Sequence, residues 1–303
     1  MNMMLLLIRQ ILQMFLLAGA GYALFKTKKI SPEGSKALGN ILIYLALPSV
    51  IINGFLVERT AERMIGILIS GAAAAVLLLL SIIVSRLIFK KDAIAAFAGA
   101  FSNPGFFGIP LIIASVGSGA VFYIACFVAF LNIGQWTYGV SILNGQPIRQ
   151  GLQPKKLIKA PFIIAILIGL ALFLTQIPLP AVVSGVLSAV AGLNTPLAMF
   201  TVGVYLAQTD IRSMFRHASV YGVSLVRLLL VPLLSVLLLT VLPDYDMKMA
   251  LLLAAACPVG SNVAVYAQLH GKNSSYAVET VVMSTLFSIV TIPLVVFLAS
   301  VLW

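Results

Sequence analysis

The chain has 303 residues, of which 61% are hydrophobic and only 9% are charged, and its mean hydropathy is +1.12. This composition excludes an ordinary soluble domain, because a single core of this size cannot bury so many apolar side chains. The formal net charge of +11 is spread over many short loops, which favours a membrane topology signal and argues against a nucleic-acid partner.

Apolar runs of about 18 to 25 residues recur along the chain, and each is long enough to cross a hydrocarbon layer of about 30 Å. We therefore predict an all-α polytopic membrane protein with ten transmembrane helices and the lipid bilayer as its solvent. The predicted spans cover residues 4–25, 37–57, 64–89, 93–116, 121–143, 158–175, 183–207, 219–242, 247–269 and 276–303.

Positive charge is concentrated in the loops that follow the odd-numbered spans. The positive-inside rule places these loops in the cytoplasm and both termini outside, in an extracellular or periplasmic compartment. Fourteen of the nineteen lysines and arginines belong to this set: Lys26, Lys28, Lys29, Lys36, Arg86, Lys90, Lys91, Arg149, Lys155, Lys156, Lys159, Arg212, Arg216 and Lys272.

The fourth span is interrupted by helix breakers at residues 101–110, Phe-Ser-Asn-Pro-Gly-Phe-Phe-Gly-Ile-Pro. Pro104 removes a backbone donor and disfavours helical geometry at Asn103, while Gly105 reaches dihedral angles that other residues avoid. Irregular backbone in hydrocarbon survives only where protein covers it or where it lines a wet cavity. Because Asn103 lies about 15 Å into the span, near the bilayer midplane, we expect a binding site there.

The ninth span contains a matching set of breakers, which includes Pro258 and Gly260. Pro258 also lies about 15 Å from the start of its span, but the chain reaches it from the opposite side of the membrane. Broken helices at matching positions of two inverted repeats indicate the binding site of a secondary transporter.

A second matched pair supports an internal repeat. Residues 45–49 of the second span and 193–197 of the seventh each contain a proline and are followed by a glycine at nearly the same offset. Five spans in each half invert the second copy relative to the first. We therefore predict a first repeat at 1–145, a cytoplasmic linker at 146–157 and a second repeat at 158–303.

The two breaks predict a site for an anion. Amide groups that begin new half-helices, at Gly105, Phe106 and Phe107 and after Gly260, carry partial positive charge. Neutral side chains add hydrogen-bond donors, and the opposite half-helix ends supply carbonyls that could hold a sodium ion. The alternative is that the prolines and glycines only kink packed helices and form no binding site. The predicted substrate-binding residues at the breaks are Asn103, Pro104, Gly105, Phe106, Pro258, Gly260, Ser261 and Asn262.

Motifs along the whole chain match a known family: residues 103–111, Leu47, Pro48, Pro196, Gly203 and Pro258. Together they resemble the auxin efflux carrier family, which is related to the bile acid and sodium symporters. The resemblance implies two inverted five-helix repeats with crossed fourth and ninth helices. It also implies a scaffold of helices 1, 2, 6 and 7, usually dimeric, and a moving transport domain of helices 3–5 and 8–10.

The family includes plant auxin exporters and bacterial permeases for malate, malonate and related carboxylates. The central loop of this chain is short, so the chain is more similar to a bacterial permease, and the resemblance implies a bacterial inner membrane. By the same resemblance, an amide of the fifth helix contacts the substrate carboxylate, and Gln135 is the candidate. Asn132 lies one helical turn away on the same face, although helix packing is an equal alternative for both residues.

Two charged residues lie within predicted spans at positions that need an explanation. Arg227 lies near the midplane, where it could neutralise the substrate, line the cytoplasmic path or pair with Glu279. Glu279 could couple transport to protons, but its expected place in the first turn of the tenth helix favours a simple interaction with the helix dipole.

The sequence offers little support for an enzyme. No cluster of His, Cys, Asp and Glu has metal-ligand spacing, and residues 271–274 lack the first glycine of a phosphate-binding loop. We expect no cofactor and no resident metal. The sequence leaves three alternatives for coupling: a proton, a sodium ion near the crossing, or uniport without a coupling ion, which is favoured at least as much as sodium because both breaks lack Asp and Glu. The leading hypothesis is a secondary transporter of a small organic anion, with an anion channel and a ligand-binding sensor as alternatives.

Overall fold

The structure is a computed structural model that describes residues 3–147 and 159–303. The described chain is helical, and it contains no strand beyond one isolated bridge. The predicted linker at 146–157 lies almost wholly outside the described residues. The same is true of the start of the sixth span at Ile158 and of the charges Arg149, Lys155 and Lys156.

Seven of the described helices are long and apolar enough to cross a membrane: Met3–Lys26, Pro32–Phe55, Ala61–Ile88, Ser118–Asn144, Ala181–Gln208, Ala218–Leu239 and Ser274–Leu302. This confirms an all-α polytopic membrane fold. The ten-span count stays a prediction, because the remaining described helices are shorter. The helices are α1 Met3–Lys26, α2 Pro32–Phe55, α3 Ala61–Ile88, α4 Ala93–Ala100, α5 Pro104–Ser115, α6 Ser118–Asn144, α7 Pro161–Thr175, α8 Ala181–Gln208, α9 Ile211–Met214, α10 Ala218–Leu239, α11 Tyr245–Ala256, α12 Asn262–Leu269 and α13 Ser274–Leu302.

Side-chain caps fix where several helices begin. The oxygens of Ser31, Thr60 and Asp92 accept hydrogen bonds from the third amide along the chain at 3.0, 3.2 and 2.9 Å. Asp244 and Asn273 do the same at 2.6 and 3.0 Å. These caps satisfy amides that have no partner within the helix, so polar loop residues define the membrane boundaries of α2, α3, α4, α11 and α13.

Short π-helical segments interrupt four of the helices. A proline has no amide hydrogen to donate to the carbonyl four residues earlier. The segment in α2 accordingly ends two residues before Pro48. In α8, a turn at Leu193 lies three residues before Pro196. Such segments are frequent at functional sites. They lie at Leu42–Ala46 in α2, Pro104–Gly108 in α5, Gln135–Gly139 in α6 and Val226–Leu230 in α10.

Helix α1 runs along α8, and α2 packs against α7 and α8. Helix α3 packs against α4 and α6, and α10 packs against α11 and α13, while α1 also contacts α5 and α13. The approach of α1 to α8 depends on two glycines. A Cβ atom on Gly203 would lie 2.0 Å from the Ala18 carbonyl oxygen, and one on Gly21 would lie 2.5 Å from that of Phe200.

We expect Gly203→Ala to destabilise the protein by about 1 to 3 kcal/mol, because the added methyl group forces α1 and α8 apart. The measurement is the unfolding temperature of the detergent-solubilised protein. The matched control is Gly185→Ala in the same helix, where the added methyl group meets no atom within 4 Å. Equal unfolding temperatures for the two variants would contradict this close contact.

Candidate functional site

The two helix breaks meet directly in the structure. One lies between α4 and α5 and the other between α11 and α12, and residues 102 and 259 form an antiparallel bridge between them. The Gly260 amide donates to the Phe101 carbonyl at 2.9 Å. The Val259 amide donates to the Ser284 hydroxyl at 3.0 Å. Two backbone amides of the second break therefore find acceptors outside their own helix, one across the crossing and one on α13.

The crossing requires a glycine at position 260, because there is no space for a side chain there. A Cβ atom there would lie 2.8 Å from the Ser102 carbonyl oxygen and 3.4 Å from Nε2 of Gln135. Any other residue would push the two breaks apart. The glycine therefore serves the close approach of two backbones and of one side chain.

A cavity of about 90 Å³ lies beside the crossing. Besides predicted site residues, the cavity is lined by Ser102 and by five apolar residues that the sequence did not predict to be part of the site: Ile43, Leu47, Val128, Leu131 and Phe162. Pro258 is buried but does not line the cavity. Nine of the ten predicted site residues do line it: Asn103, Pro104, Gly105, Phe106, Asn132, Gln135, Gly260, Ser261 and Asn262.

Gln135 has an unused donor at this cavity. Its side chain is 1% exposed, and its Oε1 accepts a hydrogen bond from Asn262 Nδ2 at 2.9 Å. Its Nε2 group makes no hydrogen bond within the described chain. Asn132 is partly satisfied within its own helix, because its Nδ2 donates to the Val128 carbonyl at 2.8 Å. The bond from Asn262 thus holds the Oε1 end of the Gln135 amide, and the Nε2 end is left to donate to a ligand in the cavity.

The helix amides predicted to be free at Phe106 and Phe107 are not free, so that expectation was wrong. Asn103 is the N-cap residue of α5, and its side-chain Oδ1 accepts from the Phe106 amide at 3.4 Å. Its backbone carbonyl accepts from the Phe107 amide at 3.0 Å. The cap takes up these two amides only. The amides of Gly105, Ser261 and Asn262 make no hydrogen bond within the described chain, so they are left for a ligand together with Nδ2 of Asn103 and the Ser261 hydroxyl.

Asn194 of α8 also reaches the break, and sequence reasoning missed it. Its Nδ2 donates to the Gly105 carbonyl at 3.2 Å, although its side chain does not line the cavity. Its Oδ1 is buried and has no partner within the described chain. An asparagine inside an apolar span, two residues before Pro196, was the signal that could have found it.

Of the three roles considered for Arg227, the pairing with Glu279 does not form. Oε2 of Glu279 lies 2.5 Å from Nδ1 of His217, which makes a different ion pair when the histidine is protonated. Because α13 begins at Ser274, Glu279 lies in its second turn, beyond the expected first turn. Arg227 is 1% exposed and does not line the cavity. Its two terminal nitrogens donate to backbone carbonyls, whereas its Nε is buried without a partner among the described residues.

A larger vestibule of about 880 Å³ adjoins the cavity. It reaches Lys159 and His270, next to α7 and α12, on the side that the charge pattern predicts to be cytoplasmic. His270 Nδ1 lies 3.1 Å from Asn144 Nδ2 in this region. The cavity and the vestibule share four lining residues, so the site opens toward this side: Ile43, Asn132, Phe162 and Asn262.

The described ranges contain no group of three or more His, Cys, Asp and Glu residues that could hold a metal ion. No lysine, arginine, aspartate or glutamate from these ranges lines the cavity itself. The chemistry at the crossing is therefore that of neutral hydrogen-bond donors and apolar walls.

Comparison with known proteins agrees with this architecture. A family model described as "Membrane transport protein" matches residues 6–154 and 148–296. A protein of Rhizobium meliloti (strain 1021) named "Putative malonate transporter" is 25% identical, and the match covers 93% of this chain and 92% of that protein. The chain therefore belongs to the membrane transport protein family, which confirms the resemblance to auxin efflux carriers drawn from its broken helices.

Proposed function

We propose that the protein is a secondary transporter that moves a small carboxylate across the membrane by alternating access. The observation that carries this proposal is the small polar cavity at the crossing of two broken helices, open to a vestibule on one side. The family supports transport, and the name of the Rhizobium relative supports a dicarboxylate such as malonate.

The donors around the cavity suit an anion of a few non-hydrogen atoms. Gln135 Nε2, Asn103 Nδ2 and the Ser261 hydroxyl make no hydrogen bond within the described chain, and each residue lines the cavity. A carboxylate accepts several such hydrogen bonds, and hydrogen bonds to a charged acceptor are the stronger kind. Neutral donors can also release the anion, because they form no full ion pair with it.

Two sets of helices supply the fixed and the moving parts of this proposed mechanism. We assign α1, α2, α7 and α8 to a scaffold and α3–α6 with α10–α13 to a transport domain that carries both breaks. The contact of α1 with α8 at Gly203 and Gly21 supports a tightly joined scaffold. The match of the family model to two stretches of the chain supports two repeats. The vestibule position corresponds to a cytoplasm-facing state under the predicted topology.

We also propose that the protein works as a homodimer in a bacterial inner membrane, with both termini periplasmic. The segment Ala181–Gly192 of α8 has no buried residue in the single chain and presents Val182 and Val186 outward, at 78% and 59% exposed. Such an apolar scaffold face suits lipid or a second copy of the chain.

We expect purified protein in liposomes to exchange labelled malonate for internal malonate with saturation. Gln135→Ala should weaken malonate binding about 10- to 100-fold, because a hydrogen bond to a charged group contributes about 1.5 to 3 kcal/mol. The matched control is Thr137→Ala, whose hydroxyl donates to its own helix at the Ile133 carbonyl, 2.7 Å away.

The exchange rate is measured over a range of external malonate concentrations for the wild type and both variants. Absence of exchange for malonate and for every other mono- and dicarboxylate tried would contradict the proposed function. An unchanged half-saturation concentration in Gln135→Ala would contradict the assignment of the site while leaving transport intact.

A further inference from the structure

Arg227 is a buried charge that has no role in the proposed transport cycle. It is the largest fully buried side chain of the described residues and lies in the π-helical segment Val226–Leu230 of α10. A charge inside a membrane span is costly unless it is compensated. Within the described ranges no carboxylate lies within ion-pair distance of it, since the ion pair found there joins His217 and Glu279.

The partners of Arg227 are backbone carbonyls on two different helices. Its Nη1 donates to the carbonyls of Gly99 and Ala100 at 3.1 and 3.2 Å. Its Nη2 donates to the carbonyl of Ala255. Ser81 joins the same group, because its hydroxyl accepts from Nη1 at 2.9 Å and donates to the Ala100 carbonyl at 2.7 Å.

These carbonyls are the C-terminal ends of the two broken helices. Gly99 and Ala100 are the last residues of α4, and Ala255 is the last but one of α11. The final carbonyls of a helix lack partners within it, and each helix end carries a partial negative charge of about 0.5 e. Two such ends converge on one guanidinium, so the crossing contains a cation site that this side chain fills.

We propose that Arg227 is a built-in cation that takes the place of a coupling sodium ion at the crossing. In transporters with discontinuous helices, carbonyl ends of this kind coordinate sodium or protons that enter and leave in each cycle. A guanidinium attached to α10 cannot leave. The inference rests on the proposed function and refines it: the carboxylate crosses without sodium, and the positive charge moves with the transport domain.

Arg227 acts on the substrate site as a positioning residue. It does not line the cavity, but Ala100 is two residues before Ser102, and Ala255 is five residues before Gly260. Holding both helix ends fixes the register in which residues 102 and 259 form their bridge. Loss of the guanidinium should therefore loosen the crossing and leave a hole lined by carbonyls and the Ser81 hydroxyl.

The first test measures cation binding without any substrate. Purified Arg227→Ala is heated in guanidinium chloride, sodium chloride or choline chloride at equal millimolar concentration and equal ionic strength. We expect guanidinium or sodium to raise the unfolding temperature of Arg227→Ala above its value in choline. The wild type and the control Arg9→Ala, whose arginine is exposed on α1, should show no such difference. No cation-specific stabilisation of Arg227→Ala would overturn the proposal.

The second test is malonate exchange in liposomes. Wild-type rates should be equal in sodium and in choline buffer, Arg227→Met should lose at least about 90% of the rate, and Arg227→Lys should keep more of it. Guanidinium should restore part of the rate in Arg227→Ala. A wild-type rate that falls tenfold without sodium would overturn the proposal. Because this comparison uses only the wild type, it tests the proposal even if Arg227→Ala does not fold. Absence of wild-type exchange would instead reject the proposed function, while the cation-binding test would still stand.

Discussion

The carbonyl groups at the C-terminal ends of the two broken helices have no donor within their own helix. The rest of this structure depends on the donors that they find elsewhere. Arg227 donates to the ends of α4 and α11, while the Gly260 amide donates to the Phe101 carbonyl between the same helices. Water cannot substitute for these donors in hydrocarbon. Arg227 and Gly260 together supply donors for the carbonyl groups at the two breaks, which allows the two interrupted helices to cross.

The half-helices that begin at the two breaks are capped differently. In the first half, Asn103 caps α5 with its own side chain and backbone. In the second half, Ser261 makes no side-chain cap of α12, and Asn262 instead donates to Gln135 on a neighbouring helix. The inverted arrangement that we infer is therefore asymmetric in chemistry. One break is satisfied locally, and the other leaves its side chains available to the cavity.

The sequence predicted the breaks because proline and glycine act locally, and it predicted the helix boundaries to within about five residues for the same reason. It could not predict contacts between residues far apart in the chain. The bonds of Arg227 to Gly99 and of Asn194 to Gly105 join residues 128 and 89 positions apart. The pairing of Arg227 with Glu279, one of three alternatives for this residue, does not form, because the opposite charges of two residues do not reveal the carbonyls that a distant helix break exposes. The amides of Phe106 and Phe107 were misjudged because a cap at Asn103 was overlooked.

Asn194 lies on α8, whereas the Gly105 carbonyl that it contacts belongs to the first helix break. In the transport cycle that we propose, α8 belongs to the scaffold and the break to the moving domain, so their relative motion has to rupture this hydrogen bond. The Oδ1 of Asn194 is buried and has no partner within the described chain. In that cycle the Asn194 bond stabilises one position of the moving domain, and breaking it adds to the barrier that the arriving ligand helps the protein to cross.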